Sequence, residues 1–291
     1  MHTFVEFLQT HPNFYLSLIF LVGLVVGSFL NVVIIRLPKM IERNWQKECC
    51  DLLEINNPEL SKKEIFNLVN PPSHCPFCKH KIKIIENIPL LSYLFLKRRC
   101  SNCNKKISPR YPIIELISAL SICIVAHFFG VSLQAFFAIF LTWALIVLSV
   151  IDFDTRYLPD DITLPFLWLG ILINLFNIFT DINSSILGAI FGYGILWTVY
   201  VIFKLITGKV AMGHGDFKLL AVLGAWFGWQ NLLPIIIISS LIGTVVAISL
   251  IINKSYDRHK GIPFGPYLAF AGWISMILGP YIISAYLNAV M

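Results

Sequence analysis

Charge is what this chain has least of. Only 13% of its 291 residues are Asp, Glu, Lys or Arg, about half the share carried by soluble proteins. A surface so poor in charge excludes an ordinary cytosolic enzyme, and the high apolar content excludes a disordered tail protein. Internal repeats and low-complexity tracts are missing too. No G-x-G-x-x-G turn follows a predicted strand, which removes the common dinucleotide-binding fold. The first apolar run has no basic stretch before it and no small-residue cleavage site, so it reads as a retained span and not as a cleaved signal peptide.

Apolar residues fill the space instead. They make up 57% of the chain, and the mean hydropathy is +0.77. That is enough for about eight crossings of a bilayer at ~20 residues each. The expected fold is an all-α polytopic membrane protein of about eight transmembrane helices with a small cytoplasmic zinc-binding loop domain. Three regions follow: residues 1–36 with one span over 14–35, a polar cysteine-containing segment 37–111, and a membrane domain 112–291. The last divides into apolar segments at 113–129, 132–151, 162–179, 185–206, 217–229, 233–252 and 263–287.

Of the 22 Lys and Arg, 15 lie between Arg36 and Arg110, against seven carboxylates there. A basic patch can bind nucleic acid, but beside membrane spans it more often sets topology, because cytoplasmic loops retain Lys and Arg. Segment 37–111 is therefore read as cytoplasmic and nucleic acid is not expected as a partner. Counting spans from there places 130–131, 180–184 and 230–232 outside, and these contain no Lys or Arg. The loops at 152–161, 207–216 and 253–262 fall inside, with Arg156, Lys209, Lys254, Arg258 and Lys260. Lys204 and Lys218 flank the middle inner loop and can snorkel to the same surface.

Cys75-Pro-Phe-Cys78 and Cys100-Ser-Asn-Cys103 stand 21 residues apart in the polar segment. Each CxxC puts two thiolates on one tight turn, and two such knuckles close a tetrahedral Zn²⁺ site with no open position, hence structural and not catalytic. The gap slightly exceeds the usual zinc-ribbon range. A redox pair fits less well, and a reducing compartment disfavours disulfides. Cys49, Cys50 and Cys123 read as loop thiols and a small buried apolar residue.

Carboxylates are so scarce beyond residue 112 that each one is informative. Asp154, Asp160 and Asp161 suit a polar inner loop, with Asp160 or Asp161 as a helix N-cap. Asp152 instead abuts the apolar run Thr142–Ile151, and Asp216 follows two glycines in Gly213-His214-Gly215-Asp216. The topology places both at similar depth. Two neighbouring carboxylates in a low-dielectric site cannot both ionise easily. Such a pair can share a proton, one group taking a proton from water while the other polarises a peptide carbonyl.

Five stretches, in order, then carry a resemblance: GSFLNVVIIRLP (27–38), CPFC with NIPLLSYLFLKRRCSNC (87–103), ISPRYPIIEL (107–116), the segment 152–160, and GHGDFKLL (213–220). Together they resemble the type IV prepilin peptidases, bifunctional leader peptidases and N-methyltransferases of the GxGD intramembrane aspartyl protease class. The resemblance implies that Asp152 and Asp216 form the catalytic pair. It implies type IV prepilins and pseudopilins as substrates, with a basic leader and an apolar N-terminal helix, cleaved at the cytoplasmic face of the inner membrane. It further implies methylation of the new N-terminal residue by S-adenosylmethionine. Membrane lipid is the other expected partner. His214 departs from the family, which usually has an apolar residue there, and is read as facing water.

The methyltransferase site is not located by sequence. The Gly27–Pro38 segment and the cysteine loop are candidates by elimination. Asn31 is explained by an interhelical hydrogen bond, and Glu115 by an ion pair with Arg110 or Arg36. Two alternatives stand beside the main reading: a peptidase without methyltransferase activity, and a transporter using Asp152 and Asp216 as ion ligands. No inverted repeat supports the transporter.

Overall fold

The computed structural model describes residues 2–55, 66–209, 212–253 and 262–290, with the side chains of 2–4, 280 and 282–290 outside the description. Lys254, Arg258 and Lys260 therefore lie outside the described residues. Helices dominate, and the described residues form no β-strand beyond two isolated bridges. The chain separates into two compact units, Met1–Val131 and Ser132–Met291.

The first unit opens with α1 (His2–Thr10) and α2 (Pro12–Leu52), crosses the cysteine segment with its short helix α3 (Leu91–Phe95), and closes with α4 (Arg110–Phe129). The apolar run at 14–35 is the first half of α2. The helix runs on through Pro38 to Leu52, because the residues after Arg36 are polar but include many good helix formers (Lys, Met, Glu, Gln). α2 and α4 meet backbone to backbone. A methyl group on Gly23 would sit 2.5 Å from the Ala119 Cα, and one on Gly27 2.8 Å from the Glu115 Cα. Small residues at a membrane helix crossing permit that approach. The Ser118 hydroxyl donates to the Gly23 carbonyl at 2.8 Å, and Asn31 Nδ2 donates to the carbonyls of Gly27 and Tyr111, both at 3.2 Å. Asn31 thus makes the interhelical bond expected of it.

The second unit comprises α5 (Leu133–Thr155), α6 (Asp160–Asn174), α7 (Ile182–Thr207), α8 (His214–Phe227), α9 (Leu232–Ile252) and α10 (Gly265–Val290). Each of the eight apolar segments contributes a helix, although the segment 162–179 is helical only to Asn174. Among the described residues, five helices are long and apolar enough to cross a membrane: α2, α4, α5, α7, and α9 with the turn before it. α6 and α8 have only 15 and 14 residues, about 22 Å of rise each against ~30 Å of hydrocarbon. Protein surrounds α8: from Asp216 to Phe227 only Lys218 escapes burial. Gly188 of α7 and Gly224 of α8 face each other with no space for a Cβ on either. Asn174 finishes the packing by donating to the carbonyls of Ala225 and Trp226 at 2.9 and 3.0 Å. Its Oδ1 accepts from the Phe179 and Thr180 amides, so a buried amide is satisfied on both sides.

Candidate active site and metal centre

Asp152 lies one turn before the end of α5, where Arg156 adopts a left-handed conformation (φ 56°) and its N–H closes back on the Asp152 carbonyl at 2.8 Å. Asp216 lies in the first turn of α8, entered through Gly213 in extended conformation. Both side chains are buried, with 5% and 8% exposure.

Leu158 explains how they are gathered. This buried side chain packs on the hydrogen-bearing face of Gly215, where a Cβ would lie 2.8 Å from its own, and on Gly265, where a Cβ would lie 3.3 Å from its Cδ1. One leucine therefore brings together the chain before Asp216 and the first residue of α10. Gly265 in turn donates its amide to Asp152 Oδ2 at 3.0 Å. The loop after α5, the entrance of α8 and the entrance of α10 meet at Leu158, and the last of them bonds the Asp152 carboxylate.

Asp160 and Lys218 form the rim. Lys218 Nζ is 2.7 Å from both Asp160 oxygens, which ties the start of α6 to α8. The cap position of α6 belongs to Pro159, with Asp160 and Asp161 in the first helical turn, so neither acid is an N-cap. Asp154 and Asp161 are exposed. His214 is exposed as well, with its ring stacked on Phe217 and edge-on to Tyr200.

Sequence reading did not find Gly265, Leu158 or the Asp160–Lys218 pair. The available signal for Gly265 was Pro263-Phe264-Gly265-Pro266, a helix opening with proline just inside it.

In the first unit the cysteines form two matching knuckles. Cys75 N–H donates to the His80 carbonyl and Cys100 N–H to that of Lys105, each at 2.9 Å. Lys79 and Asn104, each four residues after its cysteine, return an N–H to it and take the same left-handed turn (φ 56° and 54°). The four sulfurs lie within 4.8 Å of one another, with Cys75–Cys103 at 3.8 Å and Cys78–Cys100 at 3.9 Å. A tetrahedron with Zn–S bonds of ~2.3 Å has edges of about 3.8 Å, so the donor set fits zinc. Amides of Cys78 and Phe77 hold the Cys75 thiol below its usual value, and the His80 amide does the same for Cys78. For Cys103 the Lys105 amide pulls down, but desolvation and the neighbouring sulfurs push the thiol up to about 11. As thiolates, four sulfurs this close would need a cation between them.

Glu115 is buried, and Arg36 is not its partner. Its Oε2 accepts the Leu90 amide at 2.9 Å, and the Ser28 hydroxyl also bonds to it. Arg36 donates to the carbonyls of Asn67 and Pro71 at 3.0 and 2.6 Å. A buried carboxylate needs donors, and a main-chain amide supplies one without a second charge. Cys49 is exposed, and the Cys123 thiol donates to the Leu16 carbonyl at 3.6 Å.

Fold and site together define a polytopic helical membrane protein with two buried acids in one unit, one near the end of α5 and one in the first turn of α8, and a four-cysteine centre in the other. Residues 21–129 match the bacterial peptidase A24 N-terminal domain, and residues 139–248 match the type IV leader peptidase family. A prepilin leader peptidase/N-methyltransferase of Aeromonas salmonicida is 47% identical over 291 residues, all of both chains. One of Pseudomonas aeruginosa is 48% identical over 284 residues, covering 98% of this chain and 97% of its own, and one of Xanthomonas campestris is 44% identical over 285. The chain belongs to the type IV leader peptidase family. No solved structure matches.

Proposed function

We propose that this protein cleaves the basic leader from type IV prepilins and pseudopilins at the cytoplasmic face of the inner membrane, and methylates the new N-terminal amine with S-adenosylmethionine. The full-length relatives, named for both activities, support the bifunctional reading over a peptidase alone or a transporter. The observation that supports the peptidase half is a pair of buried carboxyl groups linked through Leu158, which packs on Gly215 next to Asp216 and on Gly265, whose amide bonds Asp152.

The roles follow from the contacts. Asp152 accepts a backbone N–H, a contact that favours a charged carboxylate, so it acts as the base. Among the described residues no such donor faces the Asp216 carboxyl, which carries the proton. A water oxygen attacks the scissile carbonyl carbon as Asp152 takes its proton and Asp216 protonates the carbonyl oxygen. When the C–N bond breaks, Asp152 returns the proton to the leaving amine and Asp216 recovers one from the diol.

Cys75, Cys78, Cys100 and Cys103 hold zinc in a structural role, keeping both knuckles folded. The described residues contain no strand-to-helix glycine cradle for a nucleotide, so methyl transfer is assigned to the chain and not to particular side chains. The test is mass spectrometry of a prepilin incubated with the protein in liposomes. The expected product lacks its leader and gains the mass of one methyl group only when S-adenosylmethionine is present. An intact prepilin under both conditions would reject the function.

A further inference from the structure

The segment between the two cysteine knuckles presents an apolar surface unrelated to holding metal. Within twelve consecutive residues, Ile84, Ile85, Ile88, Leu91, Leu94 and Phe95 are all exposed, Ile84 at 90% and Phe95 at 81%. They lie on or flank a short 3₁₀ turn (Ile85–Asn87) and α3, which pack on each other. Water-exposed apolar side chains at this density mark a contact surface.

Its depth is set by one hydrogen bond. α4 has 20 residues, about 30 Å of rise, the thickness of a hydrocarbon core. Glu115 lies five residues inside its Arg110 end, about 7 Å along the axis. The Leu90 amide reaches that carboxylate at 2.9 Å. To do so Leu90 takes φ 58° and ψ −49° in a tight turn closed by Leu91 N–H on the Pro89 carbonyl at 2.6 Å. This backbone conformation is costly for a leucine, and it keeps the segment beside the Arg110 end of α4.

Charge selects the occupant. From residue 81 to 99 the chain carries Lys81, Lys83, Lys97, Arg98 and Arg99, all exposed, against the single carboxylate Glu86. Glu86 is held below the usual carboxylate range by the Lys83 amide and the Ser101 hydroxyl, so it is already engaged within the loop. An apolar surface edged with cations matches an anionic leaflet, where headgroups meet the basic residues and the acyl boundary receives the apolar ones. A basic peptide would be repelled.

We infer that Ile84–Phe95 is a membrane-docking surface, seating the cysteine domain on the anionic leaflet through which α2 and α4 pass. The inference is independent of the catalytic reading.

The full chain in nanodiscs containing phosphatidylglycerol, a trace of it carrying a photoreactive group near the glycerol, tests this. Adducts mapped by mass spectrometry should fall on residues 84–95 as well as on α2 and α4. In Phe95→Asp they should fall about tenfold on 84–95, as expected when one large apolar side chain stays in water. Lys97→Gln/Arg98→Gln should lower them about fivefold per charge removed. Metal content and labelling of α2 and α4 should not change in either variant, which shows that each is folded. Absent adducts on 84–95 beside labelled α2 and α4 would overturn the inference. So would equal labelling in the variants, or labelling lost when a prepilin is added, which would give the surface to a polypeptide.

Discussion

The amide of Gly265 donates to Asp152 Oδ2 at 3.0 Å across 113 residues of chain. The same glycine has no space for a side chain, since a Cβ there would lie 2.7 Å from that oxygen and 3.1 Å from its Cγ. Donor and close approach together hold one carboxyl group in one place, and most of what distinguishes the two aspartates chemically follows from it.

Gly265→Ala keeps the amide but drives a methyl group into the carboxylate. Steady-state kinetics of prepilin cleavage should show kcat reduced about tenfold or more with KM little changed, the pattern of lost transition-state stabilisation. A change confined to KM would place Gly265 in substrate binding instead.

The Asp160–Lys218 pair should matter far less. Its side chains are 45% and 29% exposed, and exposed pairs contribute only about 0.2–1 kcal/mol. Asp160→Asn is expected to lower the melting temperature slightly and to retain cleavage within about tenfold of the parent. Loss of cleavage as severe as that of a dyad variant would move Asp160 into the chemistry.

How far these features could be read from the amino-acid order depends on what kind of contact makes them. The eight apolar runs become helices because hydrophobic length is a local property, and Asp152 and Asp216 stood out because a carboxylate beside an apolar run is expensive. α2 continues 17 residues past the apolar run to Leu52, because polarity ends a hydrophobic stretch without ending a helix where helix-forming residues follow. Glu115 was expected to pair with Arg110 or Arg36; Arg36 bonds elsewhere, and Glu115 accepts the Leu90 amide, a main-chain donor that leaves no trace in a sequence. Gly265 was missed for the same reason. Its proline-flanked motif marks a helix start, while the group that helix faces is decided by packing through Leu158.

Elemental analysis should find one zinc per chain, and none in Cys75→Ser/Cys100→Ser. Removing the metal should raise amide exchange at residues 73–82 and 98–107, where the knuckle hydrogen bonds lie, and leave α5 and α8 unchanged. Metal content unaffected by the double substitution would remove the zinc assignment.

The central claim is the partnership of Asp152 and Asp216, and cleavage of a prepilin by the Asp152→Asn and Asp216→Asn proteins in liposomes tests it most directly. Each substitution preserves size while removing proton transfer, so each should slow cleavage by about 10²–10⁴-fold or more with normal protein accumulation. Either variant cleaving at close to the parental rate would contradict the account.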